Sequence, residues 1–179
     1  MNSDEILKFW FEELTPKQWF AKDTLLDRTI EKRFGALHHK AALGEMHIWR
    51  ASPKGRLAEI LVLDQFSRNL FRDQAKAFAQ DGMALVLAQE AVARGFDAEL
   101  PLVQRKFVYM PYMHSESPAI HEIAVKLFSI AGLEDNLKFE MMHKKIIDRF
   151  GRYPHRNAVL GRESTPEEIE FLKQPGSGF

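Results

Sequence analysis

The sequence contains no cysteine, no long apolar run and no excess of charge of either sign. The absence of cysteine excludes disulfides, thiolate zinc sites, iron–sulfur clusters and a cysteine nucleophile. The 25 lysine and arginine residues balance the 25 aspartate and glutamate residues, which argues against a broadly basic nucleic-acid-binding protein. The apolar runs, such as residues 60–63, are too short to span a bilayer, so we predict no membrane segment.

The length and the remaining composition are typical of a globular protein. With 179 residues, of which 45% are hydrophobic and 28% charged, the chain can bury a core without disulfides or a structural metal. Its first residues lack the basic segment and apolar stretch of a secretory signal, which favours a cytoplasmic location. Because no composition break divides the chain, we predict a single domain over residues 1–179 that ends in a short irregular tail, residues 174–179.

Nearly every segment has the spacing of an amphipathic helix. Between residues 23 and 43, for example, Leu26, Ile30 and Phe34 fall on one face. No stretch of four to eight residues alternates cleanly between turn signals, so no strand is predicted. The sequence therefore predicts an all-α protein of about eight helices in antiparallel pairs. The expected helices cover residues 3–11, 23–43, 53–70, 75–94, 101–110, 118–131, 133–150 and 166–173.

Two further expectations concern single residues. Pro111 is expected to end the helix before it, because proline disfavours the α conformation in the residue that precedes it. Four aromatic side chains near the N-terminus are expected to anchor the core: Trp10, Phe11, Trp19 and Phe20.

The helix over residues 53–70 carries a charged pair in an almost wholly apolar surrounding. Because apolar residues occupy nearly every face of this helix, Asp64 needs a partner for its carboxylate. Arg68 follows four residues later on the same face, a spacing that allows an ion pair. The pair is either a structural salt bridge or a means of directing Arg68 toward a bound anion. Asn69 and Arg72 would then contribute to the same anion site.

A second polar segment, residues 141–162, is strongly basic. It contains six lysine or arginine residues against one acidic residue, a net charge of +5. Its glycine and proline residues fix the backbone path, and arginine offers the forked donors that suit phosphate or carboxylate. The segment is either a solvated charged surface or a binding loop. Its candidate ligand-binding residues are Arg149, Arg152, Arg156, Asn157 and Arg162.

A third polar segment lies in a loop between two predicted helices, where His114 and Glu116 can face a cleft. The two side chains could act as an acid–base pair. A metal site is not predicted, because the spacing of the nearby histidines matches no zinc motif and His121 lacks the second histidine of the zincin pattern. Bracing of the loop is the alternative role for Glu116.

These segments stand in an order that resembles a known family. The motifs that carry the resemblance are FWF at residues 9–11, WF at 19–20, LDQFSRNLFR at 63–72, MPYMHSE at 110–116, RFGRYPHRN at 149–157, LGR at 160–162 and STPEE at 164–168. With them the chain is similar to the domain-of-unknown-function 924 family over essentially its whole length. The resemblance implies a mainly bacterial protein with a tetratricopeptide-like helical fold. It implies no activity, substrate or catalytic residue.

Two hypotheses about function follow. In the first, the three polar segments converge on an arginine-rich pocket that binds a small anionic ligand bearing phosphate or carboxylate. His114 or His155 would be the acid–base residue of any reaction there, with Asp64 orienting it and the arginines stabilising negative charge. The candidate ligand-binding residues are Arg68, Asn69, Arg72, Glu116, Arg149, Arg152, Arg156, Asn157 and Arg162.

In the second hypothesis the same motifs only brace the fold. The protein would then bind a protein or peptide partner in an exposed groove, by analogy with tetratricopeptide-like proteins. Nucleic-acid binding ranks last, because no exposed aromatic platform is interleaved with the basic segment. Neither hypothesis calls for a cofactor or a metal. The two hypotheses differ in what they expect of the polar residues. In the first these residues border one solvent-connected pocket, and in the second they are paired with one another.

Overall fold

A computed structural model describes residues 2–178, and this part of the chain contains helices and no strand. The all-α class predicted from the sequence is therefore confirmed. Nine α-helices follow one another in the described residues: α1 (Ser3–Lys8), α2 (Thr24–Ala42), α3 (Pro53–Leu61), α4 (Ser67–Leu70), α5 (Asp81–Ala93), α6 (Leu102–Met113), α7 (Pro118–Phe128), α8 (Glu134–Phe150) and α9 (Pro166–Leu172).

Local capping signals fix several helix ends. The Asp23 side chain accepts hydrogen bonds from the first backbone N–H groups of α2, and Ser52 does the same for α3. At α9, Thr165 and Glu168 form a reciprocal capping box. Gly151 ends α8 in the left-handed conformation, with φ of 67°. Because these signals are local, the sequence predicted all four ends to within one or two residues.

The structure differs from the predicted helices in two places. Helix α6 includes Pro111 and continues to Met113. Pro111 has no backbone N–H to donate to the carbonyl four residues earlier, so the helix loses one backbone hydrogen bond and ends two residues later. The helix expected over residues 75–94 is divided into a short 3₁₀ turn, Ala75–Phe78, and the later α5.

Two stretches of π-helix interrupt the α-helical geometry. One, Phe9–Glu13, directly follows α1. The other, Val62–Phe66, joins α3 to α4, so that residues 53–70 form one unbroken helical run. All five of its side chains are buried. π-Helical turns are rare and often occur at functional sites, and the second stretch contains Asp64, one of the predicted site residues.

The described chain divides into two compact units. One contains the described residues up to Arg72 together with Lys76–Pro111, and the other contains Asp73–Ala75 and the described residues from Tyr112 onward. Each unit has its own core and its own set of ion pairs. The irregular tail predicted for residues 174–179 lies in the second unit as far as residue 178, and Phe179 lies outside the described residues.

Aromatic side chains form the core of the first unit. The ring of Phe34 lies 4.9 Å from that of Phe9 and 5.2 Å from that of Phe66, between ring centroids. Trp10 packs on Phe66 at 5.6 Å, and its backbone carbonyl accepts a hydrogen bond from the Trp19 indole. The prediction that Trp10 and Trp19 anchor the core is thus confirmed. Phe20, by contrast, is 60% exposed, so the prediction that it anchors the core was wrong.

The second unit is built around the pair of helices α7 and α8, which are joined by a short loop and pack on each other. Tyr153, Ile146 and Ile147 form its buried centre, and Phe150 and Phe171 cover one side. The loop that follows α8, residues 151–165, includes a 3₁₀ turn, Pro154–Arg156, and leads into α9. This loop carries most of the residues of the basic segment that the sequence singled out.

Candidate functional sites

Glu116 and Arg162 join two distant parts of the second unit. The Arg162 guanidinium donates to both carboxylate oxygens of Glu116, at 2.6 and 2.9 Å. Arg162 also donates to the backbone carbonyl of Tyr153, and the Tyr153 N–H donates to Glu116 at 2.7 Å. Burial alone would raise the pKa of Glu116, but the bonds from Arg162 and Tyr153 hold it below its ordinary value. Glu116 is therefore an ionised carboxylate that fixes the loop.

Glu168 organises the other end of this loop. Its two carboxylate oxygens accept hydrogen bonds from Arg152 at 2.7 and 2.8 Å, and Asn157 and the Thr165 N–H donate to it as well. The hydrogen bonds from Arg152, assisted by the other donors, lower the pKa of Glu168 to about 2 despite its burial. Asn157 also accepts a bond from Arg162 at 3.0 Å, so the two ion pairs share one residue. The structure thus brings Glu116, Arg152, Asn157 and Arg162 into one network.

The other predicted residues of this unit have partners of their own. Arg149 is half-exposed and pairs with Glu167 at 2.7 Å. Arg156 is buried, donates to the His114 carbonyl at 3.0 Å and lies over the Tyr153 ring at 4.6 Å. The rings of His155 and Tyr153 are 5.5 Å apart. Of the two histidines proposed as acid–base residues, His155 therefore lies in this loop, and His114 contacts the loop through its backbone carbonyl.

The predicted residues Asp64, Arg68, Asn69 and Arg72 lie in the first unit. Arg68 donates to Asp81 with two nitrogens, at 3.0 and 3.1 Å, and its guanidinium lies 3.2 Å from Asp64.

The neighbouring residues converge on Asp27. Arg72 donates to both oxygens of Asp27 at 2.8 Å, and Asn69 donates to one of them at the same distance. Burial raises the pKa of Asp27, but these hydrogen bonds outweigh it and hold the pKa below its ordinary value. All four residues of the predicted segment thus have carboxylate or amide partners in their own unit.

The net positive charge of residues 141–162 is offset by acids outside that segment. Three arginines of the segment form ion pairs with carboxylates outside it, namely those of Glu116, Glu167 and Glu168. An anion at any of these arginines would have to compete with a carboxylate already held by two hydrogen bonds. The geometry at these arginines is that of structural ion pairs.

A buried histidine–glutamate pair in the second unit was not among the predicted site residues. His121 Nδ1 lies 2.6 Å from Glu140 Oε1, and both side chains are fully buried. His121 Nε2 lies 2.8 Å from the Ser115 carbonyl and 3.3 Å from the Tyr153 hydroxyl, which itself donates to the Met113 carbonyl. Burial raises the pKa of Glu140, and its second oxygen has no hydrogen-bond partner among the described residues.

The partners of His121 determine where its protons lie. A carbonyl oxygen only accepts, so Nε2 carries a hydrogen and donates to Ser115. The short contact between Nδ1 and Glu140 then holds one proton, either on the imidazole or on the carboxyl group. In both cases the pair is neutral overall, which explains how two titratable groups coexist without solvent.

A second residue that the sequence reasoning missed is Arg56. It lies in α3, where every side chain from Gly55 to Leu61 is buried, and it is itself 4% exposed. The only hydrogen bond that its side chain makes in the described residues goes to the Arg50 carbonyl, at 3.2 Å. The signal was present in the sequence, because a charged residue within an apolar helix requires a partner.

An apolar groove lies on the surface of the first unit. It has a volume of about 360 Å³. One wall is a face of α2, and the other is formed by the turn after it, which includes Ile48 and Trp49. Ile48 is 75% exposed. The lining residues are Arg33, Ala36, Leu37, Lys40, Glu45, Met46, Ile48 and Trp49.

Two further kinds of site are absent from the described residues. Within residues 2–178 no group of three histidine, aspartate or glutamate side chains is arranged to hold a metal ion. None of the helices in that range is both long enough and apolar enough to cross a bilayer.

Comparison with known proteins places the chain in a family. A solved structure of a protein of unknown function from Agrobacterium tumefaciens, ATU0120, is 39% identical, with 96% of each chain covered and a TM-score of 0.90. No curated protein matches the chain. The family model described as "Bacterial protein of unknown function (DUF924)" matches residues 6–176. The chain therefore belongs to the DUF924 family.

Proposed function

We propose that the protein is a helical interaction module that binds an amphipathic helix of a partner protein in the groove between α2 and the turn at Ile48. The observation that carries the proposal is this open apolar groove, together with the engagement of the polar motifs in ion pairs. Exposed apolar grooves of this kind are typical of partner-binding surfaces. A tetratricopeptide-like helix arrangement and a cytoplasmic location, both expected from the sequence, are part of the same proposal.

The groove favours a helical partner. Its α2 wall presents Arg33, Leu37 and Lys40, which follow one another at intervals of about one helical turn. This wall is about 10 Å long, since a helix rises about 1.5 Å per residue. An amphipathic helix of two to three turns fits that length with apolar side chains at i, i+3, i+4 and i+7.

The charges at the groove favour an acidic residue on the partner. Arg33 is paired with Glu13, but Lys40 has no ion-pair partner among the described residues. An acidic side chain placed beside the apolar residues of the partner would pair with Lys40. The proposed partner is therefore an amphipathic helix with an acidic edge.

Two synthetic peptides test the proposal. Each is a helical peptide of about 14 residues with leucine at i, i+3, i+4 and i+7, and its flanking residues are either glutamate or lysine. The fluorescence of Trp49, which lies in the groove, reports binding. We expect the glutamate-flanked peptide to bind about tenfold more tightly than the lysine-flanked one, and the substitution Lys40→Glu to reverse that preference.

A matched pair of surface variants locates the site. Ile48→Asp places a charge in the groove and is expected to weaken binding about tenfold or more, whereas Val86→Asp alters a comparably exposed side chain on α5 and should leave binding unchanged. Equal affinity for the two peptides, or binding that Ile48→Asp leaves intact, would overturn the proposal.

Binding of a small anion by the predicted arginine clusters stays the second candidate. It requires that phosphate or carboxylate displace Asp27, Glu116 or Glu168 from arginine. A thermal-shift series with anions tests it, because a ligand that binds only the folded state raises the melting temperature. If Arg152→Ala and Arg162→Ala respond to the anion as the wild type does, this assignment fails.

A further inference from the structure

From the surroundings of Arg56 we infer a binding site for a phosphate group in the first unit, distinct from the apolar groove and from the predicted arginine clusters. Arg56 forms the floor of this site, and Arg94 and Phe96 form its rim. The phosphate is either inorganic phosphate or the phosphoryl group of a small molecule. The inference does not depend on the proposed peptide-binding function.

The first observation is an uncompensated buried charge. Arg56 is 4% exposed, its Nε has no hydrogen-bond partner, and no carboxylate of the described chain lies within ion-pair distance of it. Burying a guanidinium without an anion is strongly unfavourable, because the ion loses its water shell and gains no counter-charge. Such a charge points to an anion that binds the folded protein.

The acids nearest to Arg56 are already engaged. Glu59 is buried in the same helix, but Arg50 donates to both of its oxygens, at 2.8 and 2.7 Å. Glu90 is paired with Arg94 at 3.7 Å. Glu59 and Glu90 thus balance the charges of Arg50 and Arg94. The positive charge of Arg56 has no counterpart.

The second observation is that a second arginine, Arg94, lies beside the same aromatic ring as Arg56. The guanidinium carbon of Arg56 lies 5.8 Å from the centre of the Phe96 ring, and that of Arg94 lies 6.0 Å from the same centre. Burial lowers the pKa of Arg56, and the positive charge of Arg94 acts in the same direction. A doubly charged anion relieves this repulsion, and phosphate accepts the forked donors of two arginines at once.

The geometry also provides an entry path. Arg94 and Glu90 are both 55% exposed, and their ion pair is long, so Arg94 can turn toward a ligand at small cost. Phe96 follows Gly95, whose left-handed conformation ends α5, and the Phe96 ring lies beside the Arg56 guanidinium. A ligand therefore reaches the buried floor at Arg56 through an exposed rim.

Thermal unfolding in potassium phosphate tests the site, with potassium chloride at equal ionic strength as the reference. We expect phosphate to raise the melting temperature of the wild type by about 2 °C or more at millimolar concentration. Arg56→Gln should abolish this difference, and Arg28→Gln, which changes an exposed arginine elsewhere, should retain it. The same titration with glycerol phosphate distinguishes the two sources, because a phosphoryl-compound site binds the ester at least as well as the free ion.

A second variant keeps the test decisive if Arg56→Gln fails to fold. Arg94→Gln changes only the exposed rim and should weaken phosphate binding about fivefold, as measured by calorimetry. The backbone amide signals that shift on addition of phosphate should be those of Arg56, Arg94 and Phe96. The inference is wrong if neither phosphate compound stabilises the wild type beyond chloride, or if the stabilisation persists in both arginine variants.

Discussion

Arg162 and Glu116 are 46 residues apart in the sequence and are held together by two hydrogen bonds. The same carboxylate accepts a hydrogen bond from the Tyr153 N–H. One glutamate therefore fixes the loop between α8 and α9, which neither of these helices would fix alone. The pair is about three-quarters buried on each side. Removing its charge therefore has consequences for folding that surface ion pairs lack.

We expect Glu116→Gln to destabilise the protein by about 1–3 kcal/mol, because the Arg162 guanidinium would lose its counter-charge. Glu167→Gln is the matched control, since Glu167 holds Arg149 at an exposed position and its loss should cost less than about 0.5 kcal/mol. Urea unfolding measures both. Equal midpoints for the two variants would contradict this reading of the loop.

Acid should destabilise the protein well above the range in which carboxylates titrate. Burial lowers the pKa of His143 to about 3, and the nearby His114, His121 and His155 act in the same direction. His143 therefore binds a proton near pH 6.5 in the unfolded chain but stays neutral at that pH in the folded chain. Stability contributed by neutral His143 is complete above about pH 6.5 and is lost as the pH falls toward 3, at up to about 1.4 kcal/mol per pH unit.

Chemical unfolding at pH 5 to 6.5 separates this effect from that of Glu168, which has a pKa of about 2 when folded and contributes its own loss only at lower pH. Burial also lowers the pKa of His38, so His38 adds a slope of the same sign that is common to the wild type and the variant. We expect His143→Gln to flatten the pH dependence relative to the wild type. The raised pKa of Glu140 has the opposite sign, since its contribution is lost as pH rises, but it is common to both proteins. An unchanged slope in His143→Gln would refute the assignment.

The buried pair of His121 and Glu140 should tolerate a neutral partner. In Glu140→Gln the amide donates to His121 Nδ1, which keeps the hydrogen on Nε2, and the free energy of unfolding should change by less than about 1 kcal/mol. Glu140→Leu leaves Nδ1 without a partner and should cost about 2–3 kcal/mol. Nitrogen-15 spectra of the imidazole check the proton positions. A glutamine variant as unstable as the leucine variant would mean that the pair needs its charges.

Two glycines offer a matched test of backbone conformation. Gly151 ends α8 with φ of +67°, and although a Cβ would meet nothing within 4 Å there, that φ is strained for other residues. We expect Gly151→Ala to cost about 1 kcal/mol. Gly82 lies within α5, is also open to a Cβ and has no positive φ, so Gly82→Ala should stabilise the protein by up to about 1 kcal/mol. A thermal shift of the same sign in both would contradict the argument.

The sequence predicted those parts of the fold that depend on neighbouring residues. The ends of α2, α8 and α9 follow from side chains within a few positions, such as Thr165 with Glu168. Pro111 was misread because its effect depends on where in a helix it falls, and Phe20 because aromatic residues are also found on surfaces.

The partners of the arginines lay beyond sequence reasoning. The basic segment was visible as a charge excess, but Arg152 and Arg162 find their acids 16 and 46 residues away, and only the fold brings these together. Arg56 shows the reverse case. Its burial was readable from the apolar residues around it, whereas the absence of an acid beside it became visible only in three dimensions.

The π-helical stretch Val62–Phe66 also sets the rotational phase of everything that follows it in the same run. A π turn holds one residue more than an α turn, so side chains beyond it are rotated by about 100° from the positions that an uninterrupted α-helix would give them. Arg68 meets Asp81, and Ser67 meets His38, only because of that extra residue. Deleting a single residue from the stretch would therefore restore α-helical geometry and leave both side chains facing their partners, whereas an α-helix through the full stretch would turn both of them away.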